Sequence, residues 1–210
     1  MLRQIVDIVI TVAKEYGIYV GLVSGLSFLG WMKRNLIKNF FGGKDEKTLD
    51  IAIESALYSI MWKLKADRVS LYEYSEYDKR ISPIPFRCAT NTVEVTNPSV
   101  SVKKQKQTLS LSAIPLWTKK LSEEGEVHIY DVEDLRQEDT STYEILHSKQ
   151  IKSCHAISIV DFRGVPLGFV GIDYCQTNVE ISQQYSNILK CEALKIAGFL
   201  IIKRNGSLNC

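Results

Sequence analysis

Apolar and polar positions alternate most regularly over residues 151–175, IKSCHAISIVDFRGVPLGFVGIDYC. In the first run Ser153, His155, Ile157 and Ile159 point one way, and Cys154, Ala156, Ser158 and Val160 the other. After the turn-prone Arg163-Gly164-Val165-Pro166, Leu167, Phe169 and Gly171 alternate with Gly168, Val170 and Ile172. Two period-2 runs joined by a Gly/Pro break predict a β-hairpin. Both of its faces carry apolar residues, which places it in the centre of a sheet covered on both sides.

Helical spacing appears at either end of the same region. Leu49, Ile53, Ala56, Leu57, Ile60, Met61 and Leu64 form one face of a helix that Asp45 can cap, with acids early and lysines late. Tyr185, Ile188, Leu189, Ala193, Ile196, Ala197 and Leu200 mark a long amphipathic helix over 181–202. Between them the pattern predicts strands over 68–74, 86–95 and 127–132 and short helices over 115–121 and 143–150. Residues 82–85 (SPIP) read as a rigid extended loop. Residues 99–112, with Lys103, Lys104 and Lys106 among glutamines, show no dominant period. A solvated loop or exposed helix face accounts for them, although a loop of that length also suits a ligand lid. The order of elements implies an α+β fold. A central, mainly antiparallel sheet carries the N- and C-terminal helices on one face, with a pocket under the variable segment and short helices on the other.

The first 41 residues form a separate, hydrophobic region. Residues 16–32 (YGIYVGLVSGLSFLGWM) hold no formal charge; as a helix, roughly 17 residues span about 26 Å, just short of a bilayer's hydrocarbon core. Tyr16, Tyr19 and Trp31 lie near its ends, and Lys33, Arg34 and Lys38 follow, the arrangement of a single span with everything after it in the cytoplasm. An interfacial helix, or a helix packed in an assembly, fits the same residues. Gly17, Gly21 and Gly25 recur every fourth position, a small-residue face suited to helix association and hence to a homo-oligomer. The Gly42-Gly43 break makes 42–45 a linker, followed by a domain over 46–204 and a tail over 205–210.

Composition adds little beyond exclusions. A formal net charge of +2 gives no argument for nucleic acid as a partner. Five widely spaced cysteines and three histidines lack the spacing of a metal site and suit a reducing compartment. No phosphate loop, carboxylate dyad or Ser/His/Asp arrangement is present, so catalysis is not expected, and the residues specify no cofactor.

From about residue 46 to 203 the chain resembles a GAF domain. The likeness rests on the helix before RVSLYEY, the Ile129-Tyr130-Asp131-Val132 strand, the helix leading into KSCHAISIVDFRGVPLGFVGIDY, and the long closing helix. Ser153 matches the family's serine near the start of the penultimate strand, and Gly168 its glycine early in the last. The resemblance implies a regulatory module that binds a small molecule, or only dimerises, and couples through its terminal helices.

Five residues are candidates for a ligand site: Cys88, Asp131, Asp134, Cys154 and Asp173. Asp131 and Asp134 could bond a ligand hydroxyl or amine, although acids after a strand more often cap helices. Asp173 is unusual inside a strand and should face a partner or pair with a basic residue. Cys154-His155 resembles the chromophore-attaching pair of bilin-binding GAF domains, but neighbouring strand residues face opposite ways, which makes Cys154 a core filler. If Cys88 and Cys154 approached one another across strands, a thiol-dependent methionine sulfoxide reductase would become a third reading. It stands behind a membrane-anchored sensor with a ligand or protein partner, and behind an assembly protein, host or viral, that uses the fold as an oligomerisation unit.

Overall fold

The computed structural model describes residues 46–81, 83–98 and 107–207. The hydrophobic region, its Gly17, Gly21 and Gly25 face, the 42–45 linker and most of the unpatterned segment lie outside them. Among the described residues no helix is long and apolar enough to cross a membrane.

Seen in order, the elements are α1 (Glu46–Leu64), β1 (Arg68–Tyr77), β2 (Phe86–Thr96), β3 (Thr108–Ser110), a 3-10 turn (Leu111–Ala113) and α2 (Pro115–Glu123). Then come β4 (Glu126–Ile129), a second 3-10 turn (Val132–Asp134), α3 (Leu135–Glu138), α4 (Thr140–Ser148), β5 (Ser153–Val160), β6 (Pro166–Tyr174) and α5 (Gln183–Ser207). The strands make one sheet in the order β3-β2-β1-β6-β5-β4, and every pairing among them is antiparallel. The hairpin is β5–β6, and β6 lies at the centre of the sheet beside β1.

The α1 face foreseen from spacing is the buried one: Leu49, Ile53, Ala56, Leu57, Ile60, Met61 and Leu64 are all covered. All but Leu49 pack in one cluster with Leu189, Ile196 and Leu200 of α5 and with Val69, Leu71, Val170 and Ile172 of the sheet, forming an aliphatic layer. On the opposite face Tyr72, Tyr74, Trp117, Leu121, Leu146, Cys154 and Phe169 form the second core, beneath α2, the short turns and α4. Below, these two sides are called the helix face and the cap face.

Several boundaries moved for local reasons. The strand expected to reach residue 132 stops at Ile129, because the Asp131 carboxylate accepts the Glu133 N–H at 3.0 Å and starts a 3-10 turn. The helix expected over 143–150 begins at Thr140, where Asp139 accepts the Thr142 N–H at 3.1 Å and its hydroxyl at 2.7 Å. The strict alternation read for β6 fails at its start. Leu167 packs in the helix-face core although Phe169 faces the cap, and the β5–β6 register shifts between Ile159 and Val160. In the hairpin turn Gly164 has φ +79°, and Asp161 accepts the Arg163 and Val165 N–H groups at 2.8 and 2.9 Å.

Candidate ligand site under the cap

The cap face holds a small, partly open space against β1 and β6. Its volume is about 40 Å³, and Ser70, Tyr72, Trp117, Lys149, Phe169 and Asp173 are among the side chains around it. Aromatic rings take up most of the room that a deeper pocket would need. Tyr72 stacks on Phe169 with centroids 4.7 Å apart, and Trp117 leans on Phe169 at 6.2 Å. Drug-sized ligands occupy roughly 300–1,000 Å³. The space present admits a group little larger than a water molecule.

On its sheet side Asp173 lines the cavity, and further charged residues lie behind it. Arg68 begins β1, Asp173 is the last residue but one of β6, and the two sit opposite one another in the register. Arg68 Nε donates to Asp173 Oδ2 at 2.9 Å, with only 6% of the Arg68 side chain exposed. A second Arg68 nitrogen reaches the Lys149 carbonyl at 3.4 Å and Cys175 Sγ at 3.7 Å. Lys149 Nζ donates to the Tyr72 hydroxyl at 3.3 Å. Next along the wall, Ser70 Oγ and Asn91 Nδ2 both donate to Glu94 Oε2, at 3.2 and 2.9 Å. Burial raises the Asp173 carboxyl above its ordinary value, with Arg68 and Lys149 pulling against it. Burial also raises the Tyr72 phenol, helped by the fields of Asp173 and Glu94. These groups therefore form one electrostatically coupled set. Asn91 Oδ1, Glu94 Oε1, Trp117 Nε1 and Tyr74 OH are buried without a hydrogen-bond partner among the described residues.

The five candidates do not converge. Asp173 lines the cavity and pairs with a basic residue, Arg68. Asp131 and Asp134 instead line a separate depression of about 160 Å³ beside α2 and β4, with Lys120, Tyr130 and Glu138. Cys154 is 1% exposed in the cap-face core but does not line the cavity, and burial, then Asp173, pushes its thiol well above the usual range. Cys88 sits on β2 opposite Ser75 and Ser110. The approach of Cys88 to Cys154 does not occur. The two strands holding them are separated by β1 and β6, a distance of at least about 14 Å. Burial raises the Cys88 thiol as well. Neither cysteine is an activated thiolate with a resolving partner. His155, next to Cys154, faces the other way, toward Glu126 at 3.5 Å on the helix face.

Sequence reasoning missed Arg68, Ser70, Asn91, Glu94 and Lys149. The available signal was a pair of opposite charges, Arg68 and Asp173, at the two ends of strands that are otherwise largely apolar. The two family-matched positions have physical roles. The buried Ser153 Oγ accepts the Val179 N–H at 2.9 Å and anchors the loop into α5. A Cβ on Gly168 would collide with the Tyr72 carbonyl oxygen, so only glycine lets β1 and β6 approach there.

No family model matches the chain, and no curated protein matches it. Solved structures do. The chromophore-binding domain of bacteriophytochrome RpBphP3 from R. palustris has a TM-score of 0.60 at 14% identity, over 83% of this chain and 60% of that one. The GAF domain of Thermosynechococcus elongatus PixJ, in its blue-light absorbing form, has a TM-score of 0.57 at 10% identity, over 77% of this chain and 92% of that one. GAF3 of Slr1393 from Synechocystis sp. PCC6803 has a TM-score of 0.55 at 14% identity, over 77% and 97%. The described domain has a GAF-like fold: an antiparallel six-stranded sheet between a helix pair and a cap.

Proposed function

We propose that this chain is a non-catalytic regulatory protein that holds a small ligand under the cap and reports its presence through the terminal helices. The observation that carries the reading is the charge placed at the cavity. Asp173 and Lys149 line the cavity, and Arg68 pairs with Asp173 behind it, in a core whose other buried residues are mostly apolar; burying such charges costs folding energy, and their placement beside a cavity points to recognition. A structural neighbour is a chromophore-binding domain. Here a cavity of about 40 Å³ favours a far smaller molecule, or one admitted when the cap moves.

The helices offer a route outward. Asp173 lies next to the end of β6, the loop after that strand is anchored by Ser153, and α5 follows. Glu192 of α5 is 3% exposed and ion-pairs with Lys63 of α1 at 2.7 Å. Ile51, Tyr58 and Trp62 on α1 are exposed at spacings of seven and four, and Leu194 is exposed on α5. That seam suits pairing with a second copy. The uncharged 16–32 stretch and the glycine face support an anchor in lipid and association within it, with the domain in the cytoplasm.

The test is native mass spectrometry of the full chain purified from cells without added ligand, beside Gly171→Leu. Gly171 lines the cavity, and the nearest atom to an added Cβ there is Phe169 Cε2 at 4.0 Å, so a side chain can start from this position and fill the cavity. A small molecule released from the parent chain and missing from the variant is the expected result. A clean mass for the parent chain overturns ligand binding. It favours the assembly reading, which the aromatic filling of the cavity also supports.

A further inference from the structure

The turn between β5 and β6, residues 161–165, exposes more apolar surface than a solvated turn calls for. Phe162 is 84% exposed, and Val160 and Val165 to either side of it are exposed as well. Single apolar side chains on a surface are ordinary, whereas these three together form a patch on one tip. The backbone beneath them is firmly held. Asp161 N–H donates to the Val165 carbonyl at 2.9 Å and Gly164 N–H to the Asp161 carbonyl at 3.0 Å, while the Asp161 carboxylate takes the Arg163 and Val165 N–H groups. Charge at the tip is balanced: Arg163 pairs with Asp161 at 3.0 Å and lies 5.5 Å over the Phe162 ring.

Three contacts place this tip at the end of the domain where α1 begins. Lys203 of α5 pairs with Asp50 at 2.7 Å and with Glu46, the first residue of α1, at 3.4 Å. Its neighbour Arg204 donates to the Leu167 carbonyl, just past the turn, at 3.1 Å. Glu46, Asp50, Glu73 and Asp161 each have a lysine or arginine partner here, so none of these four acids stands as an unpaired charge against an anionic surface. In sequence, residues 33–45 tie Glu46 to the uncharged 16–32 stretch, a tether of at most about 45 Å.

We infer that the β5–β6 turn is a second contact with the bilayer, at which Phe162, Val160 and Val165 enter the boundary between headgroups and acyl chains. Aromatic rings favour that boundary, and an arginine beside one keeps its head among the headgroups. A patch of this size holds lipid weakly by itself. The tether makes the event intramolecular, at an effective concentration set by its length. The inference rests on the anchor reading above and adds what the domain itself contributes to membrane contact.

The test uses the full chain in vesicles of phosphatidylcholine with about one-fifth phosphatidylglycerol, recovered by flotation. Phe162→Trp places a reporter at an exposed position. The parent chain, with its own three tryptophans, is measured beside it, and the excess emission belongs to position 162. In vesicles brominated on the upper acyl chain that excess should fall by about half or more, as for a ring buried about 5–10 Å into the boundary. Adding Val160→Asp and Val165→Asp to the reporter chain should abolish the loss while the chain still floats. Equal emission in brominated and plain vesicles, on a chain that floats, overturns the inference and leaves the tip to a protein partner. A loss that survives both aspartates also overturns it, because it reports proximity rather than insertion. The two readings fail separately: a chain that does not float defeats the anchor and this contact with it, whereas a floating chain without the loss defeats this contact alone.

Discussion

The two faces of the sheet are built by opposite rules. The helix face is aliphatic and dry at its centre: Ile53, Leu57, Ile60, Leu71, Ile172 and Leu200 are all 1% exposed or less and bring no polar atoms with them. Its charges, such as Lys63 with Glu192 and Lys203 with Asp50, sit around that centre and tie the two helices. The cap face is aromatic and smaller in its aliphatic content, and it holds a cavity lined by Asp173 and Lys149, with Arg68 paired to Asp173 behind it. It also holds most of the buried polar atoms that lack partners. The first arrangement maximises area removed from water. The second gives up some of that gain and keeps polar groups poised, which is the signature of recognition rather than of stability.

Three substitutions sharpen this contrast, beginning with the strongest. Gly168→Val drives a side chain into the Tyr72 backbone at the junction of the two faces. It should cost about 4 kcal/mol or more, or prevent folding, as read from the urea midpoint. Arg68→Met leaves the Asp173 charge buried and unpaired, at a cost of about 3–5 kcal/mol. The double change Arg68→Met with Asp173→Leu should recover most of that loss while still abolishing any ligand response. A double variant as unstable as the single one would mean that the ion pair is there for stability, and would erase the distinction between the faces.

The third test concerns a buried group near the helix face whose polar atoms lack hydrogen-bond partners among the described residues. His155 is 2% exposed, and neither ring nitrogen has hydrogen-bond geometry to a partner, although Glu126 is 3.5 Å away. Burial lowers its pKa to about 4; Glu126 opposes the shift, and His128 and Lys190 add to it. Unfolded, the ring titrates near 6.5. Between these values the unfolded chain binds more protons, so stability falls as pH drops from about 6.5 to about 4, by about 3 kcal/mol in all. His155→Leu should flatten that part of the stability–pH profile. An unchanged slope would assign the acid sensitivity to other groups.

Much of the scaffold was readable from the chain. Period-2 and helical patterns identified the hairpin, the long helices and the buried α1 face, because burial on one side imprints a period that single residues cannot hide. Of the site, only Asp173 stood out, as a charge inside a strand. Asp131 and Asp134 share a motif-like neighbourhood in sequence, yet they line another depression. Arg68, Asn91 and Glu94 look like ordinary strand residues. Their significance depends on which strand lies beside which.

The sequence by itself determined the α+β class, the antiparallel hairpin, the helix pair and the absence of recognisable catalytic motifs, all of which rest on local periodicity and residue chemistry. Tertiary structure alone decided that β6 lies beside β1, that Arg68 meets Asp173 and that β2 and β5 are kept apart with Cys88 and Cys154. Those contacts join residues up to about a hundred positions apart. Pairing between distant strands follows from the packing of the whole sheet, and no local pattern encodes it.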